Sequence, residues 1–257
     1  MKIALIENYF PDFIISRKDF IDFLGDEHEV ISFVPEFEKN SNYFLDNYKI
    51  LNYKLNRKDK GIWQSIRLFF YFFDKFRKGK FDLVHTYRLH PNIIATIAAK
   101  IAGVKKIINH VTGLGVVFSN NTLKNIIFQN ITFLVYQFVF LLSDKVIFQN
   151  IDDLNLFKAK LFFVSNKFHL VESSGVNTEK FNLNNSKPDE LVSLKKELKI
   201  EGKKIITCVS RLIPEKGISE LYTASNQFGE DVHFFWIGSI DSDNPSEISQ
   251  LKNTNNF

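Results

Sequence analysis

Read for hydrophobicity alone, the chain alternates short apolar runs with helix-length amphipathic segments. The runs are KIALI (2–6), HEVISFV (28–34), FDLVHT (81–86), KKIIN (105–109), DKVIFQ (144–149), KFHLV (167–171), KKIITCVS (203–210) and VHFFWIG (232–238). Their apolar character is mostly continuous, as expected of parallel strands covered on both faces. Between them, helical periodicity covers about 14–24, 62–78, 91–102, 122–142, 151–160 and 216–228. Pro91 reads as a first helical residue and Gly103 as a C-terminal cap. Strand–helix alternation at this spacing predicts a doubly wound α/β protein, with ligand sites outside the carboxyl ends of the strands.

The rhythm breaks at NLNNSKPDELVSLKKELKIEGKK (182–204), a polar stretch with a lysine-rich helix-like piece. A domain boundary placed there gives a complete domain at 1–181 and a partial one at 182–257. The second holds only strand, helix, strand and a polar tail. Three elements would leave a sheet edge and a helix face uncovered, which predicts self-association or poor solubility.

Composition changes little in this picture. At 257 residues, 45% hydrophobic and 24% charged, the chain can bury a sizeable core. The 28 phenylalanines read first as packing, and the net charge of +4 suits anionic partners without selecting one. Cys208 is the only cysteine, which rules out an intrachain disulfide. MKIALIEN reads as a first strand rather than a signal sequence, whose apolar region needs about 7–15 residues, and predicts a cytoplasmic protein. The longest apolar stretch, Ile126 to Leu142, is interrupted by Gln129, Asn130, Thr132 and Gln137. It reads as a packed helix, since a spanning one needs about 20 mostly apolar residues. The segment 61–80 mixes Trp63 and phenylalanines with Arg67, Lys75, Arg77, Lys78 and Lys80. It fits either a core helix with a solvated basic end or a helix on an anionic bilayer.

The most suggestive chemistry lies in VSRLIPEKGISELYTA (209–224). A ligand at the carboxyl end of the 203–210 strand would meet Arg211 at the strand exit and Lys216 at the helix start. Two cations and a helix N-terminus suit a diphosphate, with arginine as a planar fork and lysine as a point charge. If that diphosphate is a leaving group, the same groups stabilise the charge it gains. A solvated loop with two surface cations is the alternative.

VSRLIPEKGISELYTA, SSGVNTEKF, SDKVIFQNIDDLNLF and HPNIIATIAAKIAGVKKIINHVTGLGVVF together resemble the family 4 glycosyltransferases. NHVTGLGVVF and the tail DSDNPSEIS resemble the bacterial branch that builds polysaccharides and undecaprenyl-diphosphate-linked glycans. The resemblance implies a GT-B-like fold of two Rossmann-like domains, the second incomplete here. It implies a UDP-sugar donor, a glycan or lipid-linked acceptor, transfer of an N-acetylhexosamine or related sugar with anomeric retention, and no metal or other cofactor. It assigns the donor diphosphate to Arg211 and Lys216, the nucleotide-side backbone to Gly238, and a cleft loop to His110, Thr112, Gly113 and Gly115. Arg17 and His85 become acceptor candidates, with no residue singled out as catalytic, and SSGVN (173–177) a hinge or ligand loop. Family members continue past the equivalent of residue 257 with a pair of glutamates that contact the donor, so the resemblance implies an incomplete, truncated donor pocket. A non-catalytic remnant, or a module that binds acceptor or membrane and needs a partner, is the rival reading. A Rossmann dehydrogenase would need a G-x-G-x-x-G after a strand, and none is present.

Overall fold

The computed structural model describes residues 1–36, 47–56, 61–114, 118, 122–185, 187–213 and 216–238. These divide into two compact units, Met1–Thr178 and Glu179–Phe257.

The first unit is built on seven parallel strands: β1 (Lys2–Ile6), β2 (Glu29–Pro35), β3 (Lys49–Tyr53), β4 (Leu83–Tyr87), β5 (Lys106–Val111), β6 (Lys145–Phe148) and β7 (Phe168–Leu170). Their order is β3-β2-β1-β4-β5-β6-β7. This is the Rossmann pattern, in which the strand order reverses between β1 and β4. Alternate β1 residues feed opposite cores. Ala4 and Ile6 pack with Phe33, Val84 and Ile107 on one face, and Ile3 and Leu5 with Phe10, Phe13 and Ile21 on the other. Both faces are therefore dry, as the continuous apolar runs predicted. β3 escaped the sequence reading because it is an edge strand whose exposed Lys49 and Asn52 break the apolar run.

The helices cover those faces. The predicted helix over 14–24 is instead three pieces: α1 (Phe10–Asp12), a π-helical turn (Phe13–Arg17) and α2 (Lys18–Gly25). α3 (Ile62–Gly79) buries Leu68, Phe72 and Phe76, spaced by four, against Phe33 and the alanine face of α4 (Leu89–Ile101). The 61–80 segment is thus core-packed along one stripe, with Trp63 and its basic end exposed.

α4 starts two residues before the expected Pro91, which a helix tolerates because the first-turn N–H groups have no intrahelical partner. It ends as expected at Gly103, whose φ of +82° closes a cap with Gly103 N donating to Lys100 O and Val104 N to Ala99 O. α5 (Leu123–Leu142) is started by Thr122, whose hydroxyl accepts from Asn125 N, and α6 (Ile151–Lys160) by Asn150, which accepts from Asp153 N. Their inner faces meet around Phe140 and Phe157.

The second unit holds α7 (Pro188–Glu197), β8 (Lys204–Val209), α8 (Ile218–Ser225) and β9 (Val232–Ile237). β8 and β9 pair in parallel as a two-stranded sheet. One side buries Ile218, Val232 and Phe234, while Ile205, Ile206 and Val209 of β8 remain exposed. The expected α/β, GT-B-like class holds: a complete Rossmann-like sheet in one unit and a strand–helix–strand element in the other.

Candidate active site at the carboxyl ends of the strands

In the first unit, buried polar side chains converge where β1, β4 and β5 end. Glu7 follows β1 directly and is only 2% exposed. The π turn swings Arg17 inward, where a regular helix would carry it elsewhere, and leaves it 5% exposed. Arg17 Nε lies 3.3 Å from Glu7 Oε2. Its Nη1 donates to Ser174 Oγ at 2.7 Å and Ser16 O at 3.3 Å. The guanidinium carbon sits 4.0 Å from the Tyr87 ring centroid, a cation–π contact. Arg88 adds a second cation: its Nε is 3.6 Å from Glu7 Oε1, and it also pairs with Asp12.

Strand register explains the rings beside this cluster. His85 and Tyr87, two apart on β4, point to one face, and Tyr87 is opposite His110 of β5. His85 and His110 are nearly parallel at 5.6 Å, with Tyr87 4.4 Å from one and 5.0 Å from the other. Among the described residues, neither His110 nitrogen has a hydrogen-bond partner, nor does His85 Nε2.

Burial dominates the electrostatics. It pushes the Glu7 carboxyl up to about 7, against the pull of Arg17 and Arg88. It pushes His110 down to about 3, helped by Arg17, and His85 well below its usual value, helped by His110 and Arg17. Both imidazoles are therefore neutral near pH 7 and lend no positive charge to an anion. Beneath them, Asn92 donates to His110 O, and Thr86, Asn92, Asn109 and Thr96 form a buried hydrogen-bonded chain. That chain holds α4 to β4 and β5.

Arg88 was missed from the sequence. It sits at φ +70°, ψ 167°, a region essentially restricted to glycine. Its N–H donates to His110 O and its carbonyl accepts from Asn92 N, which hold the strained backbone in place. Such strain collects at functional sites. The signal was available: Arg88 is a cation between a strand and a helix, the same pattern that singled out Arg211. Arg88→Gly is expected to be more stable than Arg88→Ala by about 1–3 kcal/mol, since both lose the side chain and only glycine relaxes the backbone. Equal urea midpoints for the two variants would show that no strain is stored there.

The other predicted residues fall as follows. Arg17 and His85 lie in the cluster, with the named Arg17 donors engaged by protein partners. His110 joins it from β5. Thr112 is half-buried and Gly113 exposed at φ +151°. Gly115, Pro214 and the DSDNPSEIS tail lie outside the described residues. The SSGVN loop enters through Ser174, whose hydroxyl is also 2.9 Å from Gln149 Nε2.

In the second unit, Arg211 follows β8 and Lys216 precedes α8, both exposed. Ile213 N donates to Arg211 O and Lys216 N to Ile213 O, each at 3.0 Å. Gly217, at φ +76°, leads into α8. A Cβ on Gly238 would lie 1.8 Å from Ser210 O, so the two strand exits touch through backbone alone. Glycine is required there by packing, whatever binds nearby. Trp236 Nε1 locks the same carbonyl at 2.9 Å.

Comparison with known proteins agrees with this architecture. A Campylobacter jejuni protein, N,N'-diacetylbacillosaminyl-diphospho-undecaprenol alpha-1,3-N-acetylgalactosaminyltransferase, is 24% identical over 247 residues. The match takes in 96% of this chain and 65% of that protein. The Anabaena protein HepE, solved in complex with UDP and glucose, matches with a TM-score of 0.71 and 15% identity over 98% of this chain and 64% of its own. A glycosyltransferase from Rickettsia africae matches with a TM-score of 0.67 and 19% identity, over 98% of this chain and 63% of its own. The chain thus spans just under two thirds of the length of these relatives. The model of the glycosyl transferase 4-like family matches residues 2–150, which carry the sheet from β1 to β6 and the cluster around Glu7. By that match over more than half its length, the chain belongs to the glycosyl transferase 4-like family.

Proposed function

We propose that this chain supplies the acceptor-side domain and part of the donor-side domain of a glycosyltransferase. The enzyme moves a sugar, an N-acetylhexosamine or a close relative, from a UDP-sugar to a glycan or undecaprenyl-diphosphate-linked acceptor in cell-surface polysaccharide assembly. The bond from the sugar's C1 to the diphosphate breaks, the electron pair leaves with the diphosphate, and an acceptor hydroxyl oxygen bonds to C1 as its proton is released to solvent. The observation that carries this reading is the pair Arg211 and Lys216, set between β8 and α8 where a diphosphate would receive two positive charges and a helix N-terminus. These groups supply the countercharge, so the reading calls on no metal. The glycosyltransferase relative from C. jejuni and the UDP complex of HepE support the donor and acceptor classes. Retention of anomeric configuration rests on family analogy. A cytoplasmic site of action, at the inner face of the membrane, follows from the nucleotide-linked donor and the lipid-linked acceptor.

A second reading, a module that needs a partner polypeptide, is favoured by the exposed β8 side chains Ile205, Ile206 and Val209. The two readings part in calorimetry. In a protein that carries this chain with the rest of the donor-side domain, sugar transfer predicts that UDP binds more tightly than UMP, and that Arg211→Ala or Lys216→Ala each weakens UDP by roughly tenfold, the loss of a charge-assisted contact. UMP affinity should change little. UDP affinity untouched by either substitution would contradict the diphosphate assignment.

A further inference from the structure

We propose that the outward face of α5, together with Phe162 and Phe163, is a docking surface for an anionic lipid bilayer, with the helix lying flat in the headgroup region.

From Asn125 to Leu142 the helix carries no charged residue, in a chain that is 24% charged. Its inner stripe, Phe133, Tyr136, Val139 and Phe140, is buried in the core. Its outer stripe is just as apolar. Ile127, Ile131, Leu134, Phe138 and Leu141 recur at four- and three-residue steps, each between 50% and 70% exposed. Beside the end of the helix, the turn Phe162–Lys167 presents Phe162 at 61% and Phe163 at 70% exposure. That turn is fixed to α5 through Lys167, whose ammonium donates to Phe140 O, Leu141 O and Ser143 O. A continuous apolar surface of this kind marks an interaction site.

Two observations select a bilayer. The inner stripe belongs to the protein core, so α5 cannot cross a membrane without unfolding the unit, although its length and composition would suffice. It can only lie on one. The rim carries lysines: Lys158 and Lys160 are exposed just before Phe162, while Lys100 and the exposed Asp144 both stand near Lys167. Apolar area flanked by the exposed Lys158 and Lys160 matches the insertion and electrostatic attraction that hold interfacial helices on anionic lipid. A second copy of the chain is disfavoured because a helical seam takes its register from flanking charges. Here the flanks are Phe128, Asn130 and Gln137.

That the bilayer carries the acceptor rests on the sugar-transfer reading, but the surface itself does not. Vesicle flotation without nucleotide therefore tests it separately. Vesicles of equal parts phosphatidylglycerol and phosphatidylcholine should bind the chain at least tenfold better than phosphatidylcholine alone. The Leu134→Glu/Phe138→Glu variant, altered only at exposed positions, should lose at least tenfold of that binding while melting at the wild-type temperature. Lys158→Glu/Lys160→Glu should lose the preference for phosphatidylglycerol. Absence of binding to the anionic vesicles, or binding indifferent to the Leu134/Phe138 pair, would overturn the proposal. So would a wild-type dimer that ignores vesicles and dissociates in that variant.

Discussion

Replacing Arg17 with alanine is expected to destabilise the unit Met1–Thr178 by about 3–5 kcal/mol, read as a lowered urea midpoint in circular dichroism. The reason is what the substitution leaves behind. Glu7 is 2% exposed, and burial already pushes its carboxyl up to about 7 with both guanidinium groups in place. Without Arg17 it keeps Arg88 at 3.6 Å and the Asn8 N–H at 3.0 Å, and Tyr87 loses the cation stacked 4.0 Å from its ring. Lysine should rescue little, because a single ammonium cannot meet Glu7 and Ser174 and lie flat on Tyr87 at once. The double variant Glu7→Gln/Arg17→Met should recover much of the loss, since it removes both buried charges together. A loss below about 1 kcal/mol for Arg17→Ala would mean that the pair is solvated in the working protein.

The histidine pair gives the second large effect, and its sign is fixed by direction. His110 and His85 are held below the ordinary value of 6.5, so folding disfavours their protons. Their contribution is whole above pH 6.5 and is lost as pH falls from there towards their folded values, at about 1.4 kcal/mol per pH unit for each histidine. Glu7 works in the opposite sense. Its value is raised from 4.5 to about 7, so its contribution is whole below 4.5 and is lost as pH rises through about 7. Between pH 6.5 and 4.5 the two histidines therefore lose what the one carboxyl partly restores. His85→Gln/His110→Gln should flatten the fall in urea midpoint across that window, and Glu7→Gln should steepen it. If the double histidine variant proves as acid-sensitive as the wild type, those imidazoles are protonated or solvated in the fold.

Much of this architecture could be read from the order of residues, because the physics behind it is local. KIALI and FDLVHT announce strands covered on both faces, and Gly103 announces the end of α4. Arg211 and Lys216 stood out for the same reason, being cations at a strand-to-helix handover. What stayed hidden depends on contacts remote in sequence. Nothing in ENYFPDFIISRKDF shows that a π turn will aim Arg17 at Glu7, or that Ser174 will complete its shell from 157 positions away. His85 and His110 were noticed singly, but their stacking is set by the β4–β5 register. α5 read as a packed helix, and it is one, but only by one stripe: an equally apolar stripe lies outside.

The most direct test of the donor assignment is hydrogen exchange, with saturating UDP and then with UMP, on a protein that carries this chain with the rest of the donor-side domain. The account predicts slowed exchange in the amides from Arg211 to Leu221 with UDP and much less with UMP, the difference vanishing when Arg211 and Lys216 are both alanine. Protection by UDP that leaves this segment untouched, or that UMP reproduces in full, would show that the diphosphate does not dock between β8 and α8.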